Sequence, residues 1–338
     1  MKARWWAACA AVVALLAAGH AQAADKIKIG VLKLVSSGPI FIAQEKGYFA
    51  AEGLDAELVY FEAAQPISVA AVSGDIDVGI TGLTAGFYNL AGKGALKIVA
   101  AQSREEKGYH LNAYLASPAA YEAGLKSFKD FRGKSVAITQ TGSTFHYSLG
   151  LLAEKYKFPL SENRLVALQS LPNMVSALKG NQVEALVIPA TIAVPMIERG
   201  EAKLLGWVGD ETPWQLGASF ATPKTIAERR TLVTRYVSAY RKAAKDFYEA
   251  FLQMGPDGNP KNGPEAGALL AILSKFTGQT AENIRPGIPF VDPEARLLVD
   301  DIYHQVEWYQ SQGLVDKAVE AKAIVDLSFV SGHFNVPK

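Results

Sequence analysis

Small hydroxyl residues and glycines recur where strand-like segments hand over to helix-like ones: Ser37 and Gly38, Gly82 and Thr84, then Gly142, Ser143 and Thr144. Hydroxyls both donate and accept hydrogen bonds, and glycine lets backbone N–H groups approach a guest closely. A helix N-terminus adds free N–H donors and a positive dipole end, which together capture an anion without a formal charge. Phe145, Pro189, Gln102 and Trp214 stand beside these turns or at connecting segments and supply apolar, amide and indole surface. This is chemistry for holding a small molecule. Chemistry for turning one over is scarce: there is no G-x-S-x-G, no Walker loop, no G-x-G-x-x-G and no H-E-x-x-H. His110, His146, His304 and His333 do not pair at metal-ligand spacing, and Asp75 and Asp77 fit a turn better than a metal site.

The elements that must position these residues alternate between strand and helix. Lys26 to Val31 alternates and is β-branched, which predicts a strand. Ser36-Ser37-Gly38-Pro39 then caps a helix running to about Gly47, with Pro39 at its first position. Strands are predicted at 56–61 and 76–80, with a helix between them from Pro66 to Ser73. The same plan returns about 105 residues later: a strand at 134–139, a cap at Thr141 to Thr144, a helix to Tyr156, a strand at 164–168, a helix from Pro172 to Gly180, and a strand at 185–188. Gly74 to Val78 and Gly180 to Glu184 correspond in position. The echo predicts two lobes of one architecture, each a mainly parallel sheet flanked by helices. Ligands of such sheets bind beyond the carboxyl ends of the strands. Ser36–Pro39, Thr81–Thr84, Gln140–Phe145 and Pro189–Thr191 therefore face a cleft between the lobes. Beyond Thr222 the pattern is helical (227–254, 264–276 and 293–312) and is expected to pack on the first lobe. Phe145, Tyr109, Tyr114 and Trp214 place aromatic surface near the cleft and lean towards an organic ligand.

Composition bounds the rest. The 338 residues are 49% hydrophobic and 20% charged, enough to bury a large core. Lys plus Arg is 34 and Asp plus Glu 33, a formal charge of +1, so no basic surplus exists to bind nucleic acid. Lys2 and Arg4, the apolar run Trp5–Ala18 and Ala21-Gln22-Ala23 form a secretory signal peptide over residues 1–23, with cleavage near Ala23. Its removal takes away Lys2, Arg4 and the single cysteine, Cys9, so the mature chain carries −1 and no disulfide. The chain is therefore expected to be exported.

Pro39 to Phe49 (PIFIAQEKGYF), Glu52-Gly53-Leu54 and Gly74 to Gly79 (GDIDVG) resemble the periplasmic solute-binding proteins of taurine, alkanesulfonate and nitrate ABC importers. Phe128 to Ala137 (FKDFRGKSVA) and Gly142 to Tyr147 (GSTFHY) resemble that family's entry into the second lobe. The resemblance covers about residues 27–330. It implies an α/β, two-lobed type II binding fold with crossings near Gln102–Glu105 and Thr212–Gly217. Lobe 1 would be 27–103 plus 217–338, and lobe 2 would be 104–216. It further implies a monomeric, cofactor-free, non-enzymatic component that closes on a small organic anion and hands it to a membrane permease. The anion would be an alkane- or aryl-sulfonate or an aromatic carboxylate. Relatives that bind thiamine-pyrimidine precursors, or synthesise pyrimidines, give the alternative; the lack of a mature cysteine disfavours the synthase. The residues expected at the ligand are Ser37, Gly38, Gly82, Thr84, Gln102, Gly142, Ser143, Thr144, Phe145, Pro189 and Trp214, with Arg104 as a further hinge candidate.

Overall fold

Two five-stranded sheets divide the chain. The structure, a computed structural model, describes residues 23–256 and 258–333; the signal-peptide reading lies outside the described residues, except at its last residue, Ala23. The first sheet is built from β1 (Asp25–Leu32), β2 (Leu54–Phe61), β3 (Val78–Gly82) and β4 (Lys97–Ala101). A short strand, β5 (Arg104–Glu105), leads out of it. The second sheet follows: β6 (Asn112–Ala116), β7 (Ser135–Ile138), β8 (Arg164–Ala167), β9 (Ala185–Pro189) and β10 (Lys203–Trp207). The chain returns through β11 (Trp214–Gln215), which pairs antiparallel with β5, and completes the first sheet with β12 (Gly217–Ala221).

The strand orders are β2-β1-β3-β12-β4 and β10-β6-β9-β7-β8. Reading the second backwards superposes the roles: β7 on β1, β8 on β2, β9 on β3, β6 on β12 and β10 on β4. In each sheet one strand, β12 or β6, runs against its two neighbours. The remaining neighbours pair in parallel. The architecture is thus the mixed α/β sheet pair that the alternation predicts.

Helices cover both sheets: α1 (Gly38–Glu45), α2 (Ala64–Ser73), α3 (Ala85–Gly92), α4 (Thr144–Tyr156), α5 (Leu171–Lys179), α6 (Ala190–Glu198), α7 (Arg230–Phe251), α8 (Ala266–Thr277) and α9 (Val299–Ser311). α1 is apolar over its first six residues and buries Pro39, Ile40, Phe41, Ile42 and Ala43. A helix of that composition must be covered on every side, and α7 and α8 do so, with Phe41 stacked on Phe276 at 4.9 Å. Among the described residues no helix is long and apolar enough to cross a membrane.

The helical tail departs from expectation. α7 and α8 pack on the first half, but α9 lies against α4 and α3 together. The reason is a buried polar set. Asp301, 5% exposed, accepts hydrogen bonds from the Gln215 N–H at 2.8 Å, Gln305 Nε2 at 2.7 Å and the Tyr147 hydroxyl at 3.3 Å. Tyr88 on α3 donates to Gln305 Oε1 at 2.9 Å. Burial pushes the Asp301 carboxyl up to about 6. The tail therefore ties both sheets rather than backing one.

Candidate ligand-binding cleft

A cavity of about 110 Å³ lies between the two sheets. A water needs about 10–15 Å³ of such space, so the cavity suits a small molecule rather than a peptide. Its walls come from the carboxyl ends of parallel strands in both halves, as the strand-end rule requires. β1 delivers Leu32, Leu34, Val35 and Ser36; β3 delivers Thr81, Gly82 and Thr84; β7 delivers Thr139, Gln140, Ser143, Thr144 and Phe145; β9 delivers Pro189 and Thr191. β2 ends at Glu62, Ala63 and Ala64, and Leu171 follows β8. Gln102, Leu111, Asn112 and Leu216 close the side where the chain crosses between sheets, and Gly287 of the tail completes the wall.

The two halves touch at the cleft through matched turns. The Ala85 N–H, at the start of α3, donates to the Gly142 carbonyl at 2.9 Å. A Cβ on Gly142 would stand 2.8 Å from the Ala85 Cβ, and one on Gly82 would stand 2.7 Å from Thr144 Cγ2. Each half thus sets a glycine against the first residue of the other half's helix. Gly142 has φ +78°, a conformation that side chains with a Cβ rarely adopt.

Two N-caps hold the helices that point at the cavity. Thr84 Oγ1 accepts from the Phe87 N–H at 3.1 Å and donates to Gln65 Oε1 at 2.7 Å. Ser143 Oγ accepts from the His146 N–H at 3.3 Å. His146 in turn accepts the Gly142 N–H at Nδ1, 3.1 Å away. Burial holds the imidazole down to about 4, so it is neutral at ordinary pH and its proton sits on Nε2. The Ser143 carbonyl accepts from the Tyr309 hydroxyl at 3.0 Å, which ties α9 to this turn.

On the crossing side, Asn112 Nδ2 donates to Glu105 Oε1 at 2.6 Å. Glu105 is fully buried, and burial pushes its carboxyl up to about 8. Beside it Arg104 pairs with Glu106 at 2.5 Å and covers the Phe290 ring at 4.1 Å.

Of the residues expected at the ligand, Gly82, Thr84, Gln102, Ser143, Thr144, Phe145 and Pro189 line the cavity. Ser37, Gly38, Gly142 and Trp214 do not. Ser37 is 1% exposed and turned into the protein. Gly38 gives its N–H to the Val35 carbonyl and backs onto Phe247 and Leu273. The Gly142 N–H is committed to His146. Trp214 is fully buried with its ring edge-on to Tyr147 of α4, 4.9 Å away. Tyr109 and Tyr114 are likewise structural, donating to the Leu252 and Ser148 carbonyls. Sequence reasoning missed Glu62, Leu171, Asn112 and Gly287. The first two follow β2 and β8, so the strand-end rule applied to every strand finds them. Asn112 and Gly287 carry no sequence signal.

Among the described residues no three His, Cys, Asp or Glu side chains cluster to hold a metal.

Two sheets of this order around a cleft define the periplasmic binding protein fold. The alkanesulfonate-binding protein SsuA of Xanthomonas axonopodis pv. citri, bound to MOPS, has it: TM-score 0.71 and 19% identity, over 89% of this chain and 98% of that one. The periplasmic nitrate-binding protein NrtA of Synechocystis PCC 6803 gives 0.67 and 15%, over 88% and 84%. The desulfurization enzyme DSZB shares the fold at 0.58 and 12%, over 90% and 97%. No curated protein matches the sequence. Residues 20–207, more than half the chain, match the NMT1-like family, and the chain belongs to that family.

Proposed function

We propose that this protein is the periplasmic substrate-binding component of an ABC importer. It captures a small organic molecule between two closing lobes and delivers it to a membrane permease. The observation that carries the reading is the cleft itself: strand ends from both halves wall one small cavity, and the Ala85 N–H bonds the Gly142 carbonyl between the halves beside it. The lobes are taken as 27–103 plus 217–338 and 104–216, hinged at the β5–β11 ribbon and exported by the leader at 1–23. Hinge closure about such a ribbon traps a guest without chemistry. The wall supplies hydroxyls, amides and apolar surface, groups suited to holding, and His146 spends its Nδ1 on a backbone N–H. The sulfonate- and nitrate-binding neighbours support this role, and DSZB shows that the same fold also carries an enzyme.

Calorimetric titration of the purified mature chain, followed by recovery of the ligand, tests the proposal. Binding with the ligand returned unchanged is expected, together with a smaller radius of gyration in solution scattering. Conversion of the ligand would replace the transport reading with an enzymatic one.

A further inference from the structure

The two neighbours named for their ligands bind anions, yet among the described residues no Lys, Arg or protonated His lines this cavity. Among the described residues the one charged side chain in the wall is that of Glu62, which is exposed and repels an anion. Four backbone donors at the flanking turns are already spent, while the N–H groups of Thr144 and Phe145, the first two of α4, have no intrahelical partner. The Ala85 N–H goes to the Gly142 carbonyl, the Phe87 N–H to Thr84, the His146 N–H to Ser143 and the Gly142 N–H to His146. What the wall does offer is neutral amide chemistry. Gln102, Asn112 and Gln140 present side-chain amides, and Thr81, Thr139 and Ser143 present hydroxyls. Leu32, Leu34, Leu111, Phe145, Leu171 and Leu216 make the apolar remainder.

Asn112 is the oriented member. It is 3% exposed and lines the wall, and its Nδ2 donates to Glu105 Oε1 at 2.6 Å, which commits the nitrogen end of the amide to the crossing ribbon. A carbonyl oxygen accepts, so it needs a ligand that donates. A sulfonate or carboxylate brings acceptors only, and would bury one acceptor against another.

We propose, resting on the solute-binding reading above, that the ligand is an uncharged organic molecule carrying an amide-type head group — a carboxamide, lactam or ureide — with an apolar body. The head group donates to Asn112, accepts from the neighbouring side-chain amides, and points its body at Phe145 and the leucines. Glu105 is a positioning residue that fixes which end of the Asn112 amide faces the guest. This combination rejects anions by two means at once: an acceptor where they need a donor, and Glu62 where they need a cation.

The test is a head-group series on two fixed bodies: benzamide, benzoate and benzenesulfonate, then butyramide, butyrate and butanesulfonate. Melting temperature and calorimetry are read on the mature chain and on Gln140→Arg and Asn112→Leu. The amides are expected to bind at least roughly tenfold more tightly than their acids. Asn112→Leu should weaken amide binding by a similar factor. Gln140→Arg, on a half-buried position, should gain affinity for the acids. If Asn112→Leu does not fold, the Gln140→Arg switch and the head-group order still decide. Acids that bind as well as amides, or better, overturn the inference and leave the solute-binding reading standing. A series in which no compound shifts the melting temperature also overturns it. Hydrolysis of an amide overturns both readings.

Discussion

The two sheets are built alike and used differently. In both, an acid placed one residue before the third parallel strand accepts the backbone N–H of the first. Asp77 takes the Lys28 N–H at 2.8 Å and Glu184 takes the Ser135 N–H at 2.8 Å. In both, a glycine at the cleft receives the opening residue of the opposite helix. The hydroxyl caps differ. Thr84 is saturated by Phe87 and Gln65, whereas Ser143 accepts one N–H and keeps its own proton. The first half thus uses its α3 turn to seal against Gly142, and under the proposed reading Asn112, Gln140, Ser143 and Phe145 of the second half face the guest beside Thr81 and Gln102 of the first. A duplicated scaffold has given its two equivalent caps different tasks.

Gly142→Ala should damage this arrangement most. Its φ of +78° costs a residue with a Cβ about 1–2 kcal/mol. The clash with Ala85 adds about 1–3 kcal/mol as overpacking. Because the clash exists only across the closed cleft, affinity should fall by roughly 5- to 150-fold, and scattering at high ligand should show the open dimensions. Unchanged affinity would mean the lobes do not seal there.

Gly82→Ala is the mirror test with one term fewer, since only the contact with Thr144 Cγ2 is at stake. About 1–3 kcal/mol of closure is expected to be lost. Thr144→Ser removes that methyl and should restore most of the loss in the double variant. Failure of the rescue would break the claim that the two glycines do matched work.

The ribbon between the halves offers a pH test. Burial raises the Glu105 carboxyl to about 8, so folding favours its protonated form and stability is lost as pH rises towards 8. Asp301, raised to about 6, loses its contribution at lower pH, and His146, lowered to about 4, acts in the opposite sense below 6.5. The window from pH 6.5 to 8 therefore isolates Glu105. Wild type should lose about 1.4 kcal/mol per pH unit there, and Glu105→Gln should flatten the slope in urea unfolding. Equal slopes would place the carboxyl in contact with water.

Much of this scaffold is legible in sequence because it rests on local signals. Alternation in Lys26 to Val31, Pro39 at a helix start and Gly74 at a helix end each act over a few residues. Gly74 does cap α2 with φ +85°, but its counterpart is one residue later than the echo suggests. Asn181, at φ 53°, takes the left-handed position, and Gly180 does not. Asparagine tolerates that conformation, so the glycine match misaligned the repeat by one. Trp214 was misplaced for a different reason: an aromatic residue at a crossing reads equally as ligand contact or as core. The carboxamide of Asn112 acquires its role from Glu105, a partner that only the fold orients. The bridging role of α9 rests on Asp301 meeting Tyr147, residues 154 apart in sequence.

The smallest effect is also the sharpest test of the division of labour. Ser143 and Thr84 occupy equivalent caps, so truncating each to alanine removes one capping bond and should cost about 1 kcal/mol of stability in both cases. Thr84→Ala also strands the Gln65 amide oxygen, so its stability loss should be the larger of the two. Affinity should move the other way. Ser143 lines the cavity with an uncommitted hydroxyl proton, so Ser143→Ala should weaken binding by about tenfold, in line with one hydrogen bond. Thr84→Ala should leave affinity within about threefold, because its proton already belongs to Gln65. Melting temperature and calorimetry on the pair give two numbers per variant, and the predicted order is opposite in each. Two variants that lose stability and affinity in the same order would mean the caps act only as caps, and that recognition is shared evenly by the two halves.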